Sequence, residues 1–164
     1  MVQMLVNVVS KNGNLLLNIP LPGHGRPDDD EMAFLDKFGG WMALNSEAID
    51  STRPWKIAGE GPTHSGGSTP YGPIPRFAAG DMRFTTKGDA LYAIALAWPT
   101  DGKLTIKSLA SGSLHYHGEI ARIGLLGSEA NLVNSRSTDG VTINLPDKPP
   151  CDYAYVFKIN PLGA

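Results

Sequence analysis

At the start of the chain, Met1, Met4, Leu5, Val8 and Val9 recur at helical spacing and predict a helix with one buried face. Lys11, Asn12 and Gly13 follow, a cation and two residues that tolerate left-handed backbone, and predict its end. The next run, Leu15-Leu16-Leu17-Asn18-Ile19, does not alternate and predicts a strand covered on both faces, as in a parallel α/β sheet. A Pro/Gly loop from Pro20 to Pro27 leads to Asp28-Asp29-Asp30-Glu31, which places carboxylates where a helix N-terminus favours them. Met32, Leu35, Phe38, Trp41, Met42 and Asn45 continue at helical spacing and predict a second helix to about Asn45. Its interior pair Gly39-Gly40 costs roughly 1 kcal/mol per residue against alanine, so tertiary packing has to hold it.

From Ser46 to Gly80 periodicity is weak, and residues 65–73 are loop by composition. The period then changes to two. Met82 to Thr86, Leu91 to Trp98, Lys103 to Leu109, Glu119 to Leu125, Val141 to Leu145 and Tyr153 to Ile159 predict strands, with Lys87-Gly88-Asp89, Thr100-Asp101-Gly102 and Thr138-Asp139-Gly140 as turns. Short strands in succession without intervening helices predict an antiparallel sandwich.

Length and composition narrow this picture. At 164 residues the chain is too short for a complete (β/α)₈ barrel, which takes roughly 250. With 41% apolar and 18% charged residues it can bury a core, and 19 Gly and 13 Pro favour a turn-rich, mostly β protein. A net charge of −2 offers no electrostatic case for nucleic acid or an anionic membrane as partner. The lone Cys151 excludes an internal disulfide framework, and no secretory signal is expected from the first residues.

The residues from Val9 to Ile19, Val9-Ser10-Lys11-Asn12-Gly13-Asn14-Leu15-Leu16-Leu17-Asn18-Ile19, carry a family likeness. They resemble the helix-to-strand motif near the end of the catalytic barrel in α-L-fucosidases of glycoside hydrolase family 29. The likeness continues through the acidic helix start, Trp41, Asn45-Ser46-Glu47-Ala48-Ile49 and Thr52-Arg53-Pro54-Trp55. Asp81-Met82-Arg83-Phe84-Thr85-Thr86-Lys87-Gly88 and Leu91-Tyr92-Ala93-Ile94 resemble the opening strands of that family's C-terminal sandwich. Two departures are Pro20-Leu21-Pro22-Gly23, where relatives commonly have Gly-Pro, and Asp50, where they commonly have Tyr.

The resemblance implies a mainly β chain: an antiparallel β-sandwich preceded by a helix-strand-helix remnant of a (β/α)₈ barrel. It divides the chain into barrel remnant (1–50), linker (51–80) and sandwich (81–164). The intact relative would hydrolyse terminal α-L-fucosides with retention, and its substrate partner would be a fucosylated glycan. The family's nucleophilic aspartate and acid/base glutamate lie upstream of the part represented here, so no catalytic residue is carried over, and the chain alone is expected to be inactive. No cofactor is implied, and periplasmic or secreted location is suggested only by the family.

Retaining glycosidases need two carboxyl groups roughly 5–5.5 Å apart, one of them kept protonated. The acidic residues here read as helix start (Asp28 to Glu31), turns (Asp89, Asp101, Asp139, Asp147), helix face (Asp36), Gly-rich loop (Glu60) and strand entrance (Asp81). Asn18 and His24, at and after the end of a barrel strand, are the candidates for the substrate face, because barrel sites are built at strand C-terminal ends. His115-Tyr116-His117 would align two imidazoles if that segment is a strand, too few ligands for structural zinc, so no metal site is expected. The alternative function is a non-catalytic carbohydrate-binding module, with Trp55, Tyr71, Trp98 or Tyr116 as stacking platforms, Trp55 and Tyr71 foremost. An unpaired Leu15 to Ile19 strand is an aggregation template, so pairing is expected with a second copy, a barrel-containing chain or the sandwich edge.

Overall fold

The computed structural model describes residues 1–63 and 76–162. Two helices, α1 (Val2–Val9) and α2 (Asp29–Asn45), precede eight strands: β1 (Arg53–Glu60), β2 (Met82–Lys87), β3 (Ala90–Ala95), β4 (Lys103–Ile106), β5 (Ile120–Leu125), β6 (Asn134–Ser137), β7 (Gly140–Asn144) and β8 (Tyr155–Pro161). The strands form a five-stranded sheet of order β1-β2-β3-β8-β5 and a three-stranded sheet of order β4-β7-β6. All pairings are antiparallel.

Alternation along the central strands distributes their side chains between two cores. Leu91, Ala93 and Ala95 of β3, Met82 and Phe84 of β2, and Phe157 and Ile159 of β8 meet Leu104, Ile106, Val141 and Ile143 of the smaller sheet. On the opposite face Tyr92, Ile94 and Leu96 join Val156 under Val2 and Val6 of α1, Trp41 of α2 and Ala48. The large sheet is therefore the middle of three layers, which is why β3 is apolar on both faces rather than alternating. The expected sandwich is present, and the helices lie directly on its outer face.

Helix α2 begins where the acidic run predicts. Asp28 caps it, its Oδ1 accepting from the backbone N–H of Asp30 (3.1 Å) and Glu31 (3.0 Å), with three further carboxylates in the first turn. Gly39 and Gly40 face open space, where a Cβ would meet nothing within 4 Å. Trp41, 3% exposed, anchors the helix instead.

Four readings change. Residues 15–19 form no strand, and Leu16 is 93% exposed; with no sheet edge beside it, the segment has no ladder to join, and it does not pair with the sandwich edge. Arg53–Glu60, expected to be loop, is β1; its register with β2 jumps from Pro54↔Thr85 to Gly59↔Arg83, and this bulge erased the alternation. Asn134–Ser137 is a strand although it lacks apolar residues, being a polar edge whose one strand partner is β7. His115-Tyr116-His117 lies outside any strand, so its two imidazoles do not share a sheet face.

Candidate functional site

The polar groups of functional interest gather where the helical layer meets the outer face of the large sheet. Arg83, 4% exposed, alternates with Met82 and Phe84 and so points toward the helices; its Nε donates to Asn7 Oδ1 of α1 at 2.8 Å and its Nη1 to Met82 O at 2.7 Å. Burial lowers the pKa of this guanidinium, with Asp81 opposing that shift. Thr85 Oγ1 donates to Ala48 O (2.8 Å), Trp41 Nε1 to Ala154 O (2.8 Å) and Gln3 Nε2 to Leu96 O (2.7 Å). Glu47 closes the far side, accepting from Tyr92 Oη at 2.6 Å and pairing with Lys158. The Lys158 and Tyr92 hydrogen bonds hold its carboxyl below the usual glutamate range, and burial, with the Glu47 bond, pushes the Tyr92 phenol up.

Beside this interface a groove is lined by Lys11, Ala58, Gly59, Glu60, Gly61, Thr63 and Arg83. Burial and the nearby Arg83 charge lower the pKa of Lys11. Gly59 is required here, because a Cβ would stand 2.2 Å from Met82 O. Two carboxylates beside this groove serve as structural acceptors. Asp81 binds Thr63 N (2.8 Å), Thr63 Oγ1 (2.6 Å) and Ala78 N (2.6 Å). Glu60 binds the backbone N–H of Lys107 (2.8 Å) and Ser108 (2.7 Å) together with the Ser108 hydroxyl, tying the end of β1 to the end of β4. Carboxylates so occupied hold segments together; they are not poised as a nucleophile and an acid facing one another.

The residues singled out from sequence are dispersed. Asn18 and His24 are exposed in the segment between the helices, and His24 Nδ1 accepts from Arg26 N at 3.3 Å. Trp55 packs edge-on against Phe84 at 5.0 Å and near His115 at 6.2 Å, half-buried against the sandwich core. Tyr71 lies outside the described residues. Trp98 packs on Tyr155 at 4.8 Å. Arg136, five residues before Val141, was not singled out: it donates to the carbonyls of Leu109, Ala110, Tyr116 and Gly118 and stacks on the Tyr116 ring, so it shapes the loop carrying both histidines. Among the described residues no group of three His, Cys, Asp or Glu could hold a metal ion, and no helix is long and apolar enough to cross a membrane.

Comparison with known proteins follows the same division of the chain. Residues 77–160 match the α-L-fucosidase C-terminal domain, and residues 1–47 match α-L-fucosidase. The chain is 32% identical over 160 residues to tissue α-L-fucosidase of Homo sapiens, covering 94% of this chain and 30% of that protein. It is 30% identical over 166 residues to α-L-fucosidase of Branchiostoma floridae, covering 97% of this chain and 32% of that protein. The crystal structure of Thermotoga maritima α-fucosidase superposes with a TM-score of 0.71 at 26% identity, over 96% of this chain and 33% of that one. The chain thus spans about a third of its relatives' length, and with the sandwich family matched over half of it, it belongs to the α-L-fucosidase family, whose C-terminal region it represents.

Proposed function

We propose that this chain serves as the C-terminal part of an α-L-fucosidase, an accessory unit for retaining hydrolysis of terminal α-L-fucosides whose nucleophile and acid/base reside elsewhere in the enzyme. The observation that carries this reading is the bonded interface of α1 and α2 with the large sheet. Gln3, Asn7, Trp41 and Glu47 connect the part that matches α-L-fucosidase to the part that matches its C-terminal domain. Such a unit would hold the last barrel helices at a set angle while contributing no reacting group.

In this reading residues 1–50 complete a barrel, and Asn18 and His24 face its mouth, where they touch a fucosylated glycan. The unladdered run at 15–19 gains strand partners from a barrel-containing chain or from a second copy. The test is release of 4-nitrophenol from its α-L-fucoside by the purified chain, alone and mixed with the remaining region of a fucosidase relative. No saturable release alone, and release on mixing that drops when Asn18 or His24 is replaced by alanine, is expected. Saturable release by the sequence-verified chain alone, abolished by either substitution, would overturn the reading.

A further inference from the structure

The turn that enters β8 is strained and presents an aromatic ring. Ala154 N donates to Asp152 O at 2.9 Å and Tyr153 has φ +74°, so residues 152–154 close a γ-turn of the positive-φ kind, rare for a residue with a Cβ. Its backbone is pinned by Trp41 Nε1 on Ala154 O (2.8 Å), Gln3 Nε2 on Tyr153 O (3.3 Å) and Cys151 Sγ on Ala154 O (3.4 Å). The Tyr153 side chain is left 45% exposed. Conformations of this kind persist only where the surroundings over-determine them, and they concentrate at ligand sites.

Tyr153 lines an open cleft of about 530 Å³ between α2 and residues 150–153, a size within the range of small-ligand sites. Leu44 and Pro150 supply apolar wall, and Gly40 leaves the helix backbone bare, since a Cβ there would meet nothing within 4 Å. Lys37 and Asp152 bring one charge of each sign to the lining.

We propose that this cleft binds a neutral pyranose, free or at the end of a glycan. A sugar ring has an apolar C–H face for the Tyr153 ring and the Leu44–Pro150 wall. It also has hydroxyls that both donate and accept, so one ring serves the donor-only Lys37 ammonium and the acceptor-only Asp152 carboxylate together. A purely apolar ligand would desolvate both charges without replacing their hydrogen bonds, and a ligand carrying charge of a single sign would be repelled by one of them. The site shares no residue with Asn18, His24 or the Lys11–Arg83 groove, and it stands independently of the fucosidase reading.

The test is titration of the ¹⁵N-labelled full chain with methyl α-L-fucoside, methyl β-D-galactoside and, as the ionic control, sodium glucuronate. Saturable shifts at the amides of Gly40, Leu44 and Tyr153 are expected with the two neutral sugars, at a Kd of about 1–10 mM, and none with glucuronate. Gly40→Leu fills the cleft from an open helical position and should keep the fold while weakening binding at least about tenfold. Tyr153→Gly removes the ring and releases the strained backbone, so thermal stability should hold or rise as binding is lost. No saturable shift up to about 50 mM sugar, equal shifts with glucuronate, or unchanged affinity in either folded variant would overturn the proposal.

Discussion

Two stretches of this chain look alike as sequence and differ entirely as structure. Leu15-Leu16-Leu17-Asn18-Ile19 and Leu91-Tyr92-Ala93-Ile94-Ala95-Leu96 are both apolar runs without alternation. The second is buried at every position from Leu91 to Leu96, with β3 bonded to β2 on one side and β8 on the other and covered by a core on each face. The first is bonded into no ladder, and Leu16 stands 93% exposed. An apolar run states that side chains favour leaving water. Whether it becomes a strand depends on neighbouring edges that accept and donate its backbone hydrogen bonds, and residues 15–19 have no such edge among the described residues.

This comparison breaks most easily at its buried end. Ile94→Ala, at a fully buried position, should cost about 2–5 kcal/mol, read from the urea midpoint; a loss under about 0.5 kcal/mol, the size expected of surface changes, would mean that two-sided cover contributes little. Trp41→Phe keeps most of the ring but removes the donor to Ala154 O. It should cost about 1–3 kcal/mol by leaving the buried carbonyl with only the weak Cys151 thiol donor, and an unchanged midpoint would detach the helices from the stability of β3 and β8.

The Glu47 cluster sharpens the same point through pH. Because its folded pKa is depressed, mainly by the Lys158 hydrogen bond, its contribution is present above the unfolded glutamate value of about 4.3–4.5 and is lost as pH falls through the lower folded value. The pair is partly exposed, so the size is at most about 1 kcal/mol. Between pH of about 5 and 3, the urea midpoint of Glu47→Gln should fall less steeply than that of the parent. Tyr92 carries the opposite sign: its phenol pKa is raised, chiefly by burial. Its share is complete below the unfolded tyrosine value of about 10 and is lost as pH rises through the folded one, so Tyr92→Phe should flatten the alkaline limb of the same measurement. Leu16→Asp should have the smallest effect, within about 0.5 kcal/mol, while reducing self-association in sedimentation velocity; a large destabilisation would show that the run is not free of the fold.

How much could be read in advance follows from the range of each interaction. The helices were legible because spacing and the Asp28 cap lie within a few residues of one another. Most strands were legible from alternation and Gly-containing turns. β1 was hidden because Trp55 to Ala58 bulge opposite Phe84, and β6 because an edge strand needs no apolar side chain. The Glu47–Tyr92–Lys158 cluster joins residues 45 and 111 positions apart, and no local pattern announces such a meeting. Of the candidate site, the motif likeness identified the family, whereas the inward turn of Arg83 and the cleft at Tyr153 emerged only from the packed layers.

The sequence by itself determined where helices begin and end, which strands have an apolar face, and that the chain belongs with the fucosidases, because these are written in short-range spacing and motif. Only the tertiary structure decided which apolar runs become strands, how the helices clasp the outer face of the large sheet, and which carboxylates are occupied. The physical reason is that burial preference is carried by each residue alone, whereas a ladder bond, a satisfied carboxylate or a covered face requires a second group brought from far along the chain.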